Sequence, residues 1–157
     1  MIETFEDTIE NDIKKVFGII STETANHKDS NGSTLLHKAV GQGDADIVKK
    51  LIKLNADVNA RDNYGITPLM IAASFGYNNI IQILIVAGAD VNLRSFSGDT
   101  ALSLAMKNDF HSTVAFLVVV ADADVSSVFS MDGKSGISQL KLFDNPWIIE
   151  MMVKTQG

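Results

Sequence analysis

The sequence predicts an all-α solenoid, a short stack of helix–turn–helix repeats with projecting hairpin-like loops. Two observations carry the prediction. Gly32, Gly65 and Gly98 stand 33 residues apart, and so do Thr34, Thr67 and Thr100, Leu36, Leu69 and Leu102, Ala39, Ala72 and Ala105, and Leu51, Leu84 and Leu117. Five columns in one register over three copies mark a repeat architecture, which must be sought before local structure is read. Within each copy the apolar residues fall at offsets of one, three and four, the signature of one helical face.

Composition agrees with a packed chain. Of 157 residues 46% are hydrophobic and 20% charged, so enough apolar surface exists to bury a core. There is no cysteine, which excludes disulfides and thiolate metal sites and suits a reducing cytoplasmic setting. The start, Met1 to Asp7, is acidic and has no basic stretch leading into an apolar run, so no signal peptide is read there. The longest apolar run, Val114 to Ala121, is too short to span a bilayer. The net charge is −6. Binding to nucleic acid needs clustered Lys and Arg to displace counterions, and 13 basic residues dispersed among 19 acidic ones do not supply that. Such a chain favours basic or neutral protein partners by electrostatic steering.

The first segment, 1–28, reads as an N-terminal cap. Its Ile13-Lys14-Lys15-Val16-Phe17 echoes Val48-Lys49-Lys50-Leu51-Ile52 of the next copy. Helices over 2–10 and 12–21 fit the apolar spacing, and one helix running through Asn11 fits it too.

Three clear copies follow, over 29–61, 62–94 and 95–125. Asp29 to Gly32 and Asp62 to Gly65 are turn sequences, in which Asp bonds its own backbone and Gly supplies positive φ. A Thr two residues after each Gly is placed to cap a helix, and Pro68 suits a first helical position. A short helix runs to about Gly41, Ser74 or Lys107, with a break at Gly43, Gly76 or Asp109. A second helix carries the apolar stripe Ile47, Val48, Leu51, Ile52 and its equivalents Ile80, Ile81, Leu84, Ile85 and Val114, Leu117, Val118. Each copy closes on an Ala-Asp-Val motif, at 56–58, 89–91 and 123–125. The last of these lies 34 residues after its predecessor rather than 33.

The remaining stretch, 126–157, reads as a degenerate fourth repeat acting as C-terminal cap. Gly136 comes five residues late, Asp144-Asn145-Pro146 starts a helix, and Trp147, Ile148, Met151 and Met152 give it an apolar side. Ser126 to Ser135 is then a longer loop. The run Val118 to Ala121 reads either as an exposed patch or as part of the core beneath this cap, with the core preferred.

The segment from Asp62 through Thr67-Pro68-Leu69, Ala72-Ala73 and Gly76 to Gly88-Ala89-Asp90-Val91-Asn92 resembles an ankyrin repeat, and the resemblance extends over 29–125. The first copy, with Thr34-Leu35-Leu36-His37, lacks only the Pro. The third is more eroded, with Ser95 in place of the turn Asp. The resemblance implies an ankyrin-repeat solenoid and a hydrogen bond between Thr34 and His37, which only the first copy is equipped to make. It also implies a protein-binding role on a concave surface lined by hairpins and short helices.

No catalytic or metal pattern stands out, and no cofactor is expected. His27, His37 and His111 lack helical ligand spacing. Asp122, Asp124 and Asp132 lack the ligand order of a calcium loop. Gly133-Lys134-Ser135 has Val128 where a phosphate loop needs its first Gly. No nucleophile–base pair is visible, so the expectation is a binding protein and not an enzyme.

Because packing fixes the framework columns, recognition falls on the positions between them. In the first copy these include Ser30, Asn31, Ser33, Gly41 and Gln42. In the second they are Arg61, Asn63, Tyr64, Ile66, Ser74 and Phe75, and in the third Arg94, Phe96, Ser97, Asp99, Lys107 and Asn108. Tyr64 and Phe96, edged by Arg61 and Arg94, make the expected interface core, since aromatic and Arg side chains dominate such cores. Phe75 ends a short helix and suits either a partner or a neighbouring hairpin. Tyr77 and Phe110 begin second helices and read as packing residues. The function expected is that of an adaptor or stoichiometric inhibitor, monomeric alone. A self-associating structural subunit and a bacterial effector engaging a host protein are the alternatives.

Overall fold

A computed structural model describes Ser21, Thr22 and residues 24–125. The helices read over 2–10 and 12–21 and the fourth repeat over 126–157 lie outside the described residues.

Among the described residues six helices follow in order: α1 Leu35–Gly41, α2 Ala45–Lys53, α3 Pro68–Phe75, α4 Asn78–Val86, α5 Ala101–Lys107 and α6 His111–Val119. Each consecutive pair packs as a hairpin of helices, α1 on α2, α3 on α4 and α5 on α6. The short helices α1, α3 and α5 then stack into one layer, and α2, α4 and α6 into the other. No strand occurs among the described residues.

The helix starts follow from their caps. Thr67 Oγ1 accepts the Met70 N–H at 3.3 Å, with Pro68 at the first helical position, where its missing N–H would have had no helical partner. Thr100 Oγ1 accepts the Ser103 N–H at 3.1 Å, and Ser103 Oγ accepts the Thr100 N–H at 2.9 Å. At α1 the second half of this exchange is made by an imidazole: the Thr34 N–H donates to His37 Nδ1 at 3.1 Å. The reciprocal cap is therefore not confined to the first copy. Ser103 serves where His37 stands in the first copy, because its short hydroxyl reaches the equivalent N–H.

The breaks between helices use the left-handed conformation, with φ of 71° at Gly43, 69° at Gly76 and 60° at Asp109. At the first two a close approach adds a second constraint. A side chain on Gly43 would lie 3.2 Å from the Tyr77 ring, and one on Gly76 would lie 2.6 Å from the Phe110 ring. Tyr77 and Phe110 thus cover the glycine of the preceding repeat, the packing role expected of them.

One continuous core joins the copies. The Leu36, Leu69, Leu102 column and the Leu51, Leu84, Leu117 column are buried throughout, as is the Ala39, Ala72, Ala105 column. No single repeat encloses its own apolar face, so stacking creates the core.

The 34-residue step before the last Ala-Asp-Val motif has a local cause. The turns after α2 and α4 close with Ala56 N–H to Leu51 O and Ala89 N–H to Leu84 O, both spanning five residues. After α6 the bond runs from Ala123 N–H to Leu117 O and spans six. The extra residue sits between α6 and Asp122, whose φ of 55° replaces that of Asn55 and Gly88. The reading of Val118 to Ala121 as core holds for Val118 and is corrected for its neighbours: Val119 is 60% exposed and Val120 63%. The helical turn leaves Val119 on the far side of α6 from Leu117, and the added residue turns Val120 outward.

Candidate protein-binding surface

Three loops project from the short-helix side, and each is closed by its own backbone. The Asp29 N–H donates to Ser33 O, Asp62 N–H to Ile66 O and Ser95 N–H to Asp99 O, at 3.0, 3.0 and 2.8 Å. In the first two loops the aspartate gathers the turn. Asp29 Oδ1 accepts the Asn31 and Ser33 N–H groups, and Asp62 Oδ1 accepts those of Tyr64 and Ile66. In the third loop Ser95 Oγ accepts only the Asp99 N–H and is joined to Ser97 Oγ at 2.9 Å. Two short hydroxyls there share the work of one carboxylate.

The loops are tied to one another along the stack. The Asn63 N–H donates to Asn31 O and the Phe96 N–H to Tyr64 O, both at 3.0 Å. Asn63 Nδ2 donates to Ser30 O at 3.0 Å. A column of long cations repeats a second link: Lys28 Nζ donates to Arg61 O at 2.8 Å, and Arg61 Nη2 donates to Arg94 O. His37 Nε2 donates to Ile66 O at 3.0 Å, which fixes the imidazole as the neutral tautomer with its proton on Nε2. Burial is the chief reason the pKa of His37 lies below its ordinary value; the Ile66 carbonyl and the Asp62 carboxylate act in the opposite sense.

At the base of the loops a further column acts the same way. Asn26 Oδ1 accepts the Asp57 N–H, Asn59 Oδ1 the Asp90 N–H and Asn92 Oδ1 the Asp124 N–H, each at 2.7 Å. Sequence reasoning passed over these asparagines, although their spacing of 33 is as regular as that of the glycines.

On this frame the candidate recognition residues divide into two groups. Tyr64 at 70% exposure and Phe96 at 74% stand out from the loop tips, and Phe75 is exposed at the end of α3. Asn31, Gln42, Arg94 and Asn108 are exposed as well. The others, and the Phe75 and Phe96 rings as well, are held by internal contacts. The Arg61 guanidinium lies 5.3 Å from the centre of the Phe96 ring, and Phe96 covers Gly65, where a side chain would meet it at 3.0 Å. Phe75 stacks on Tyr77 with ring centres 5.5 Å apart. Ile66 is half-buried against the core, Asn63 holds the loop of the first copy, and Lys107 pairs with Asp99. Burial opposes ionisation of Asp99, but its bonds to Lys107, Ser97 and Ser103 outweigh that and lower its pKa.

Among the described residues no three His, Asp or Glu groups gather as a metal site would require. No helix there is long and apolar enough to cross a membrane.

Helix pairs stacked in two layers, loops projecting from one side and a Thr-capped short helix in every copy define a repeat solenoid. A family model described as ankyrin repeats (3 copies) matches residues 8–95, more than half of the chain. The chain belongs to the ankyrin-repeat family, whose members generally serve as protein–protein interaction modules. No curated protein matches it.

Proposed function

We propose that this protein binds a partner protein through the loop tips and the exposed ends of the short helices, as an adaptor or stoichiometric inhibitor without catalytic activity of its own. The observation that carries the reading is Tyr64: a large aromatic ring, 70% exposed, on a loop whose backbone is fixed by Asp62 and by the neighbouring loop. A rigid amphipathic ring presented at low conformational cost is an efficient anchor. Phe75 and Phe96 extend the apolar surface on either side, and Asn31, Gln42 and Asn108 supply a polar rim.

The local charge refines the partner. The chain as a whole carries −6, which favours basic or neutral proteins at long range. The surface itself carries Arg61 and Arg94, while Lys107 is neutralised by Asp99. A neutral partner that presents an apolar or aromatic patch fits both facts. The cysteine-free composition suits a reducing, cytoplasmic setting.

Affinity capture from the source cell, with wild-type protein and a Tyr64→Ala variant in parallel, tests the proposal. Proteins retained by the wild type and lost by the variant support it. An identical set retained by both contradicts it.

A further inference from the structure

The three projecting loops differ in the cation that answers their carboxylate. In the first copy Asp29 Oδ1 accepts the Asn31 and Ser33 N–H groups, and Oδ2 takes the Lys38 ammonium at 2.9 Å from the middle of α1. In the third, Asp99 pairs with Lys107 at the end of α5. The second loop has the carboxylate without the cation. Asp62 Oδ1 accepts the Tyr64 and Ile66 N–H groups in the manner of Asp29. The residues of α3 that correspond to Lys38 and Lys107 are Ile71 and Ser74, and α3 contains no charged residue. Ser74 Oγ donates to Ile71 O instead. Among the described residues Asp62 Oδ2 has no hydrogen-bond or ion-pair partner. Nor is it shut off from solvent, since Arg61 Nε is the one buried side-chain polar atom there without a partner. The neighbouring cations are engaged elsewhere, Lys28 with Arg61 O and Arg61 with Arg94 O and the Phe96 ring.

We infer that Asp62 receives a lysine of the partner protein, whose ammonium takes at Oδ2 the place that Lys38 takes at Asp29 and whose methylenes lie on Ile71 between Tyr64 and Phe75. The inference rests on the reading of this face as the binding surface, and it supplies the chemistry of a central contact. The first copy demonstrates within the same molecule that a carboxylate so held accepts an ammonium. Lysine fits better than arginine. Two N–H groups already occupy Asp62 Oδ1, which leaves one oxygen for a compact ammonium, whereas a guanidinium binds best to both. The lysine stem also suits an apolar bed, and Ile71 is half-buried while Tyr64 and Phe75 are exposed. A single lysine in an apolar patch matches the local charge, because Arg61 and Arg94 on the same surface oppose a cluster of cations.

A phage-displayed library of random peptides is panned on the full-length protein, and the enriched peptides are titrated against wild type, Tyr64→Ala, Asp62→Asn and Ile71→Lys. Asp62→Asn keeps an oxygen for the Tyr64 and Ile66 N–H groups and removes the charge. Ile71→Lys keeps the carboxylate and fills it from within, as Lys38 does in the first copy, so it carries the test if circular dichroism shows Asp62→Asn to be unfolded. The inference expects enriched peptides with a lysine among apolar residues. Asp62→Asn and Ile71→Lys each weaken their binding by about tenfold, the loss of a hydrogen bond between charged groups, and so does norleucine in place of that lysine. Peptides that depend on Tyr64 yet bind both charge variants as tightly as wild type overturn the inference and leave the binding surface standing. Peptides that carry arginine or no cation in place of the lysine do the same. If no peptide distinguishes wild type from Tyr64→Ala, the inference and the binding surface fall together.

Discussion

Arg61 reaches one full repeat along the stack, its Nη2 donating to the carbonyl oxygen of Arg94 while its guanidinium lies 5.3 Å from the centre of the Phe96 ring. A residue that reads as a free interface cation is thereby part of the scaffold that holds an exposed aromatic in place. Arg61→Ala should loosen the third loop and remove a cation–π contact of about 0.5–1 kcal/mol at an exposed site. Arg94→Ala should leave stability within about 0.5 kcal/mol, as surface substitutions generally do. Urea unfolding of the two variants checks the contrast, and equal effects would contradict the assigned roles.

His37→Ala removes the acceptor for the Thr34 N–H, which is buried, and the donor to Ile66 O, which is partly buried. Leaving such groups unpaired costs about 1–3 kcal/mol. The unfolding free energy from urea titration should fall by that amount with an unchanged slope, since the surface exposed on unfolding stays the same.

The same residue sets a pH dependence. In the unfolded chain the imidazole titrates near its ordinary value of 6.5, and in the folded chain below it, chiefly because of burial. Below pH 6.5 the unfolded state therefore binds more protons, and stability falls with falling pH. The contribution is complete above pH 6.5 and is lost as the pH drops through the lowered native value. Subtracting the His37→Ala profile from that of the wild type should isolate this fall; parallel profiles would contradict it. At lower pH Asp29 adds a second loss. Its burial raises the pKa, but its bonds to Lys38, Ser33 and Asn31 prevail and set it below 3.8, so its stabilisation is present above 3.8 and disappears beneath.

Gly76→Ala meets two obstacles, a φ of 69° and the Phe110 ring at 2.6 Å. The left-handed conformation alone costs about 1–2 kcal/mol for a residue with a side chain, and the ring contact adds to it. In a Phe110→Ala background the cost of Gly76→Ala should shrink towards the conformational part, giving a measurable coupling in a double-mutant cycle. Strict additivity would show that the ring is free to move aside.

The regular part of the fold is legible in the sequence because each copy solves the same packing problem. Leu36, Leu69 and Leu102 recur because the same cavity recurs, and Thr34, Thr67 and Thr100 because every short helix needs a cap. Local turn chemistry is legible for the same reason, down to Asp109 serving where Gly43 and Gly76 stand. Links between copies are harder to read. The reach of Arg61 to Arg94, and of Asn59 to the Asp90 N–H, depends on how one loop lies on the next, which the pattern within a repeat does not specify. Val119 and Val120 are masked by their neighbours in sequence. An unbroken apolar run reads as core, and only the extra residue after α6 separates buried Val118 from the two that follow. At the recognition surface the sequence marks the aromatic positions by default, as large rings outside the framework columns. It does not distinguish Tyr64, held only through its backbone, from Phe96, whose ring is engaged by Arg61 and Gly65.

That distinction selects the most direct test of the central claim. A partner recovered by affinity capture is titrated calorimetrically against wild type, Tyr64→Ala and, as a control on the opposite layer, Lys53→Ala. The account predicts that Tyr64→Ala weakens binding by about tenfold or more, the loss expected of an interface anchor, with wild-type unfolding behaviour and with Lys53→Ala unchanged. Full affinity in Tyr64→Ala, or a loss at Lys53→Ala instead, would contradict binding through the loop and short-helix face.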